Sequence, residues 1–210
     1  MGAAVELAGA GERGFCAGAD VRALARILAE DGPWLRYLEA EYALDMMLAN
    51  YPKPVTSFLR GIAMGGGLGI VASCTFSIGD ETASFGTPEV RVGLFPMMIM
   101  AVLARTVPRR PLLEMMLLGQ KFDAHTAARH GIVNRVVAPE ALDAEVSALA
   151  KNLAGRSPTA MARGLAAYAK MGDMTLDAAL PALRDELYAL LGTEDAQEGL
   201  QAFFQKRAPV

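Results

Sequence analysis

Two glycine-rich segments constrain the fold most strongly, because each stands where a probable strand gives way to a probable helix. The first, residues 14–20, reads GFCAGAD, and the second, residues 61–69, reads GIAMGGGLG. Apolar runs at 3–7 and 55–59 precede them, as short strands would. Strands that alternate with helices in this way predict an α/β fold.

A glycine-rich loop that leads into a helix can bind an anion. The first N–H groups of a helix lack intrahelical partners and lie at the positive end of the helix dipole, so they attract anions. Two such loops side by side could direct two N–H groups at one developing oxyanion. The glycines could also serve tight turns or close packing and nothing more. Neither loop fits a dinucleotide-binding fingerprint or a P-loop, because the required glycine spacing and the Gly-Lys-Ser/Thr sequence are missing.

Two helices are predicted from their apolar patterns. An apolar stripe of Leu35, Leu38, Tyr42 and Met46 follows the spacing of one helix face and predicts an amphipathic helix. The run 97–105 is apolar nearly all round, which predicts a buried helix.

Capping residues and a change of pattern indicate how the chain is organised. Asp20 and Asp123 stand directly before helical patterns, as N-caps do. Beyond Pro139 the pattern is helical throughout. We therefore predict an α/β core over 1–138 and a helical C-terminal region over 139–210.

The composition excludes several classes of protein. The 210 residues include 20 Lys and Arg against 23 Asp and Glu, and the net charge of −3 is spread without blocks, whereas nucleic-acid binding requires a clustered basic face. No apolar stretch reaches the roughly 18 residues of a membrane span, and no export signal opens the chain. Cys16 and Cys74, the two cysteines, give neither a disulfide framework nor a metal-binding spacing. We expect a cytoplasmic globular protein that binds neither nucleic acid nor membrane and holds no metal.

Both glycine loops, in this order, resemble those of the crotonase family, also called the enoyl-CoA hydratase/isomerase family. The resemblance covers essentially the whole chain and continues through four further motifs. These read FGTPEV at 85–90, VGLFP at 92–96, GIVNRVV at 131–137 and AFFQKR at 202–207. The resemblance implies the ClpP/crotonase-like superhelix of β-β-α turns, with a helical C-terminal region that builds homotrimers or hexamers. It also implies an acyl-CoA thioester as the ligand, with coenzyme A as part of the substrate and no separate cofactor.

The resemblance also assigns a site. The backbone N–H groups of Ala19 and Gly66 would hold the thioester oxygen as an enolate forms, and Glu89 would act as the acid/base. Contacts with the acyl-CoA are implied for ten further residues: Cys16, Ala17, Gly18, Asp20, Gly65, Gly67, Pro88, Leu94, Met97 and Lys206. Lys206 would reach a CoA phosphate, in its own subunit or in a neighbouring one.

One position departs from the hydratases that this chain resembles. These hold the added water between two glutamates, one of them three positions after the middle glycine of the triple and the other twenty residues further on. Here the second is present as Glu89, but the first is Gly69, which can neither hold a water nor move a proton. Isomerases of the family use a single glutamate between carbons 2 and 4, so a hydratase and an isomerase both stay open. An acyl-CoA-binding subunit with weak or no catalysis is a further alternative.

Two other departures concern the acyl chain and the start of the sequence. Met97, Met98, Ile99 and Met100 stand where many members are rich in glycine, which suits either an adaptable wall around an acyl chain or plain core. Family members usually carry extra strands and a helix before the equivalent of Ala3, so we expect an unpaired edge strand here.

A peptidase, the other chemistry that this superfamily fold supports, is disfavoured. His125 and His130 have no Ser or Asp at the spacing of a catalytic triad. Cys16 lacks a neighbouring base, so the sequence does not predict a cysteine nucleophile either.

Overall fold

The computed structural model describes residues 3–11, 13–29 and 34–208. The strands are β1 (Val5–Ala8), β2 (Gly14–Cys16), β3 (Val55–Leu59), β4 (Ile62–Met64), β5 (Phe76–Asp80), β6 (Ser84–Gly86), β7 (Phe122–Asp123) and β8 (Arg135–Val137). The helices are α1 (Val21–Ala29), α2 (Trp34–Ala49), α3 (Gly66–Ser73), α4 (Met97–Leu103), α5 (Arg109–Leu118), α6 (Ala124–Arg129), α7 (Leu142–Ala154), α8 (Pro158–Met171), α9 (Leu176–Leu191) and α10 (Glu194–Phe204). Short 3₁₀ helices cover Pro88–Val92 and Pro139–Ala141. The fold is α/β, as the sequence predicts.

The chain forms two compact units. The larger comprises Glu6–Ala49 and Val55–Leu149, and the smaller comprises Met1–Val5, Asn50–Pro54 and Ala150–Val210. The division into a core over 1–138 and a helical region over 139–210 stays a prediction.

The described strands form two four-stranded sheets, ordered β1-β3-β5-β8 and β2-β4-β6-β7. In the second sheet β2, β4 and β6 run parallel, with Cys16 opposite Ala63 and Met64 opposite Gly86. Parallel strands end at the same edge of a sheet, so the segments that follow β2, β4 and β6 begin side by side. This edge is where the candidate site forms.

The larger of two apolar clusters in the described residues packs β4 and β6 against the helices of the larger unit. It contains Leu68 of α3, Phe85 of β6, Leu103 of α4 and Met116 of α5, all of them buried. Burial of a side chain of this size contributes about 1.5–3 kcal/mol each. Two of the elements that adjoin the site, α3 and β6, are therefore anchored by buried side chains.

Two predicted helix caps are confirmed. The Asp20 carboxylate accepts a hydrogen bond from the backbone N–H of Arg22 at 2.9 Å, and the Asp123 carboxylate accepts one from Thr126 at 2.7 Å. Each cap satisfies an N–H group that the first turn of a helix leaves unpaired.

Strands β2, β4 and β7 do not follow from the sequence pattern. The sequence predicts loops at 14–20 and 61–69, but each segment contains a strand of three residues, Gly14–Cys16 and Ile62–Met64. A strand this short shows no alternation of apolar and polar residues, so its periodicity cannot be seen. The parallel pairing of β2 with β4 identifies it instead.

Helices α2 and α4 differ from their predicted burial. The apolar stripe of α2 is exposed: Leu35, Leu38, Tyr42 and Met46 all lie at the surface. The sequence predicts that helix α4, apolar nearly all round, is buried, yet Met97 at its start is 63% exposed. Apolar periodicity identifies a helix face, but it does not show whether another helix or strand packs against that face.

Helices α8, α9 and α10 make up most of the smaller unit. The Ser157 hydroxyl caps α8 through the N–H of Ala160 and donates to the Asp195 carboxylate at 2.5 Å. Arg163 of α8 donates to Glu186 of α9 at 2.7 Å. Among the helices that the structure describes, none is both long enough and apolar enough to cross a membrane.

Candidate functional site

Three segments that leave the same sheet edge build the candidate site. Gly18 and Ala19 follow β2, Gly65 and Gly66 follow β4, and Glu89 follows β6. All of them belong to the larger unit. The parallel register of the strands therefore brings together the three residues that the resemblance assigns as catalytic.

The first two segments approach each other through their glycines. Gly18 has a φ of +90°, which side chains disfavour, and a methyl group on it would lie 2.8 Å from the carbonyl oxygen of Met64 and 3.3 Å from the nitrogen of Gly66. Gly67 lies directly against the carbonyl of Cys16, where a methyl group would overlap backbone atoms. The glycines thus serve close packing of the two loops, and this packing also places Gly18, the residue before Ala19, beside Gly66.

The second segment opens α3. Gly65 stands at the N-cap with φ +52°, and its N–H donates to the carbonyl of Gly86 at 3.0 Å, which ties the loop to β6. Gly66 is the first helical residue, so its N–H has no partner within the helix. Of the hydrogen bonds in the described residues, none is donated by the backbone N–H of Ala19 or of Gly66. Two backbone donors at this edge are therefore available to an oxygen of a ligand.

Glu89 is held in place by the start of its 3₁₀ helix. Thr87 is fully buried and its hydroxyl donates to the carbonyl of Met115 at 3.0 Å, while the carbonyl of Glu89 accepts from Leu94 at 3.1 Å. A methyl group on Gly65 would lie 2.9 Å from Glu89 Oε1. The carboxylate thus lies directly against the glycine loop that opens α3.

The surroundings of Glu89 suit proton transfer. Its Oε2 atom is buried without a hydrogen-bond partner in the described part of the chain. Burial, with a smaller contribution from the negative charge of Glu41, raises the pKa of Glu89 above its ordinary value of 4.5. A carboxyl group with a raised pKa is a better base and holds a proton closer to neutral pH.

Helix α2 contributes carboxylates that sequence reasoning missed. Tyr37, Glu41 and Asp45 repeat every four residues, so they share one helix face, and all three are half-buried. A methyl group on Gly66 would lie 3.2 Å from Glu41 Oε1. Burial raises the pKa of Glu41, and burial together with the charge of Glu41 raises the pKa of Asp45 to about 6. The repeat at four-residue spacing is visible in the sequence, but the apolar stripe lies on a different side of the helix, and the prediction used the stripe.

Asp45→Asn should stabilise the protein at neutral and higher pH. Because the pKa of Asp45 is raised, the folded state binds its proton more strongly than the unfolded state between pH 3.8 and about 6, so this group lowers the free energy of unfolding as the pH rises through that window. Asn cannot ionise, so urea denaturation should show a gain at about pH 8 that is absent at about pH 4. Glu39→Gln, on the exposed side of α2, is the matched control. An equal gain at both pH values would contradict the assignment.

Gly69, where the hydratases carry their first glutamate, is a packing position in this chain. It is buried in α3, and a methyl group on it would overlap Cγ2 of Ile99 in α4, a side chain that is itself 2% exposed. The space that a carboxylate would need at position 69 is therefore filled by Ile99.

Gly69→Ala should destabilise the protein by about 1–3 kcal/mol, because the added methyl group has to displace a buried side chain. Ile99→Ala empties that space, so Gly69→Ala should cost much less when it is made together with Ile99→Ala. Urea denaturation of the two single variants and the double variant measures this coupling. Additive effects of the two changes would show that Gly69 and Ile99 do not compete for the same space.

The remaining residues that are predicted to contact the acyl-CoA differ in burial and in the part of the fold where they lie. Cys16, Gly18, Gly65 and Gly67 form the packed meeting point of the two loops. Four others are exposed at the surface of the larger unit: Ala17, Asp20, Pro88 and Leu94. Met97 is exposed at the start of α4. Lys206, with φ +54°, is exposed in the smaller unit, and its contact with a CoA phosphate stays a prediction.

The site offers no metal centre among the residues that the structure describes, where no three His, Cys, Asp or Glu side chains are grouped as ligands. What the candidate site brings together is the backbone N–H groups of Ala19 and Gly66 and the carboxylates of Glu89 and Glu41. Such a set can stabilise a developing oxyanion and move protons beside it.

This chain is similar to known proteins over most of its length. The family model described as enoyl-CoA hydratase/isomerase matches residues 2–210. A probable enoyl-CoA hydratase from Rhizobium meliloti is 35% identical over 97% of this chain and 78% of its own length. The enoyl-CoA hydratase domain-containing protein 3 of Rattus norvegicus is 37% identical over 79% of this chain, and the match spans 55% of the rat protein.

Solved structures show the same fold. The crystal structure of human enoyl coenzyme A hydratase domain-containing protein 3 superimposes with a TM-score of 0.92 at 31% identity, covering 99% of this chain and 81% of the human one. The match of the family model over nearly all residues and the shared fold lead to one conclusion. The chain belongs to the enoyl-CoA hydratase/isomerase family.

Proposed function

We propose that this protein catalyses proton transfer at carbon 2 of an acyl-CoA thioester, as an enoyl-CoA hydratase or isomerase. The observation that carries the proposal is the position of Glu89. Its carboxylate, partly buried and with one oxygen unpartnered in the described residues, lies against the glycine loop that presents the N–H of Gly66. The names of the relatives, which refer to enoyl-CoA hydratases, supply the class of substrate.

In the proposed reaction the two loops stabilise an enolate. The thioester oxygen accepts hydrogen bonds from Ala19 and Gly66, and these strengthen as negative charge develops on it. Glu89 moves the proton at carbon 2. Positioned donors of this kind act without reorganising, which is why each contributes about 10²–10³ in rate.

The same site supports two reactions. In isomerisation, Glu89 takes a proton from carbon 2 of a 3-enoyl-CoA, the electrons shift through the enolate, and the proton returns at carbon 4. In hydration, water adds at carbon 3 of a 2-enoyl-CoA and Glu89 delivers the proton to carbon 2. Position 69 is a glycine packed against Ile99, so no carboxylate from that position takes part in either reaction.

A direct assay tests the proposal. The purified protein is incubated with crotonyl-CoA and, separately, with a 3-enoyl-CoA, and the thioester absorbance is followed over time. Loss of the conjugated thioester from crotonyl-CoA indicates hydration, and its appearance from the 3-enoyl-CoA indicates isomerisation. Binding of both substrates with neither conversion would contradict the proposal and favour an acyl-CoA-binding subunit.

We also propose that the helices of the smaller unit assemble the protein into a homotrimer or hexamer. Several large apolar side chains on α9 and α10 are exposed, among them Leu187, Tyr188, Phe203 and Phe204. Contiguous exposed apolar surface marks interfaces.

Light scattering at micromolar concentration should give a mass of three or six chains. Replacing Phe203 and Tyr188 by Ser should shift the mass toward one chain, because both side chains are nearly 80% exposed and their burial would contribute to association. A monomeric parent protein would contradict the proposal.

A further inference from the structure

Helix α2 carries two carboxylates, Glu41 and Asp45, on its inward face beside the partly buried Trp34 and the buried Leu48, whereas several of its large apolar side chains are exposed. Glu41 and Asp45 are half-buried, whereas Leu35 and Tyr42 are 69% and 56% exposed. Burial of a carboxylate is unfavourable unless it is paired with a positive charge or hydrogen-bonded. Within residues 3–11, 13–29 and 34–208, no ion pair involves Glu41 or Asp45. Packing of Trp34 and Leu48 explains why this face turns inward, but it does not explain why the face carries two carboxylates that no cation in the described residues pairs with.

The position of Glu41 supplies a reason. Glu41 Oε1 and Glu89 Oε1 lie beside consecutive glycines, since methyl groups on Gly66 and Gly65 would come within 3.2 and 2.9 Å of them respectively. The two carboxylates therefore flank the loop whose Gly66 N–H is the proposed oxyanion donor. They come from different elements, α2 and the 3₁₀ helix Pro88–Val92.

We propose that Glu41 is the second acid/base of this site, holding the water that adds at carbon 3 while Glu89 serves carbon 2. The inference rests on the proposed function. In this assignment α2 supplies the carboxylate that the hydratases carry at position 69, where this chain has a glycine packed against Ile99.

In the proposed hydration, one proton leaves the water and another reaches carbon 2. Ionised Glu41 accepts a proton from water as the water oxygen bonds to carbon 3, and the double-bond electrons move onto the thioester oxygen held by Ala19 and Gly66. Protonated Glu89 then gives its proton to carbon 2 as the enolate collapses. Exchange with solvent transfers the proton on Glu41 back to Glu89. Two nearby carboxylates sharing one proton are the state that like-charge repulsion favours.

The charges of the groups around Glu41 are consistent with one ionised and one protonated carboxyl group in this site. Tyr37 and Asp45 share its helix face, and Cys16 and Asp20 face Tyr37 from the first loop. All of these groups are neutral or negative, so in the described residues no cation favours the ionised form of both carboxylates at once.

The test compares Glu41→Gln with Glu39→Gln, which makes the same change on the exposed side of the same helix. Two rates are measured for each: hydration of crotonyl-CoA, and incorporation of deuterium at carbon 2 of butyryl-CoA in D₂O, which needs Glu89 and the backbone donors but no added water. Glu41→Gln should lower hydration by at least about 100-fold and leave deuterium incorporation within about fivefold of the parent protein. Glu39→Gln should change neither. Glu41→Ala serves as a second variant if the Gln variant does not fold.

The outcomes are distinct. Equal loss of hydration and of deuterium incorporation in the folded Glu41 variants would overturn the inference, because Glu41 would then be a positioning residue for the whole site. Unchanged hydration would overturn it as well, and so would a parent protein that incorporates deuterium without hydrating crotonyl-CoA. A parent protein that does neither contradicts the proposed function itself.

Discussion

Glu89→Gln should lower the turnover of the active substrate by about 10²–10⁴-fold while leaving the affinity for acyl-CoA almost unchanged. Gln keeps the shape and polarity of the side chain but can neither take nor give a proton. Because Thr87 and Leu94 hold this segment through backbone and hydroxyl contacts, the substitution should not disturb the fold. Turnover is measured from thioester absorbance and affinity from calorimetry with a saturated acyl-CoA.

Glu114→Gln is the matched control, since Glu114 is exposed on α5 and the same change there should have no effect. The pH profile gives a second readout. If Glu89 acts as a base, kcat/KM falls as the pH drops through its pKa, and burial places that limb above the ordinary value of 4.5. Near-normal turnover of Glu89→Gln would show that another group moves the proton.

Gly66→Pro should lower turnover by about 10²–10³-fold, because it removes one oxyanion donor outright. Proline suits the first position of a helix, where its missing N–H breaks no helical hydrogen bond. Gly66 is that first residue of α3, and the preceding Gly65 has φ +52°, in a region open to glycine. The fold should therefore tolerate the change.

Gly66→Ala separates the lost donor from crowding. Both variants place a carbon 3.2 Å from Glu41 Oε1, but only proline lacks the N–H. The alanine variant should keep turnover within about tenfold of the parent protein. Equal losses in the two variants, with circular dichroism showing retained helix content, would mean that the N–H of Gly66 is not an oxyanion donor.

The helix caps and the glycine loops could be predicted from the sequence, because they depend only on residues that are close together along the chain. Asp20 and Asp123 cap helices because a carboxylate beside a first helical turn satisfies its N–H groups wherever the helix lies. The two glycine loops could be located because their placement between strand and helix is also local. Neither feature needs distant parts of the chain.

The position of Glu41 beside the glycine loop could not be predicted, because it depends on tertiary packing. Leu35 and Tyr42 suggested an inward apolar face for α2, whereas the structure exposes them and turns Glu41 toward the glycine loop. The reason for Gly69 was equally hidden, since only the approach of α4 shows that Ile99 occupies the space a side chain would need. In both cases two elements distant in sequence decide what one residue does.

The central claim is that Ala19 and Gly66 stabilise an enolate whose proton Glu89 moves. Deuterium incorporation at carbon 2 of butyryl-CoA in D₂O, followed by mass spectrometry, tests this claim whichever reaction the protein catalyses, because a saturated thioester can neither be hydrated nor isomerised. The parent protein should incorporate deuterium, and Glu89→Gln should slow incorporation by about 10²-fold or more. Butyryl-CoA that is bound by the parent protein yet gains no deuterium would contradict the account.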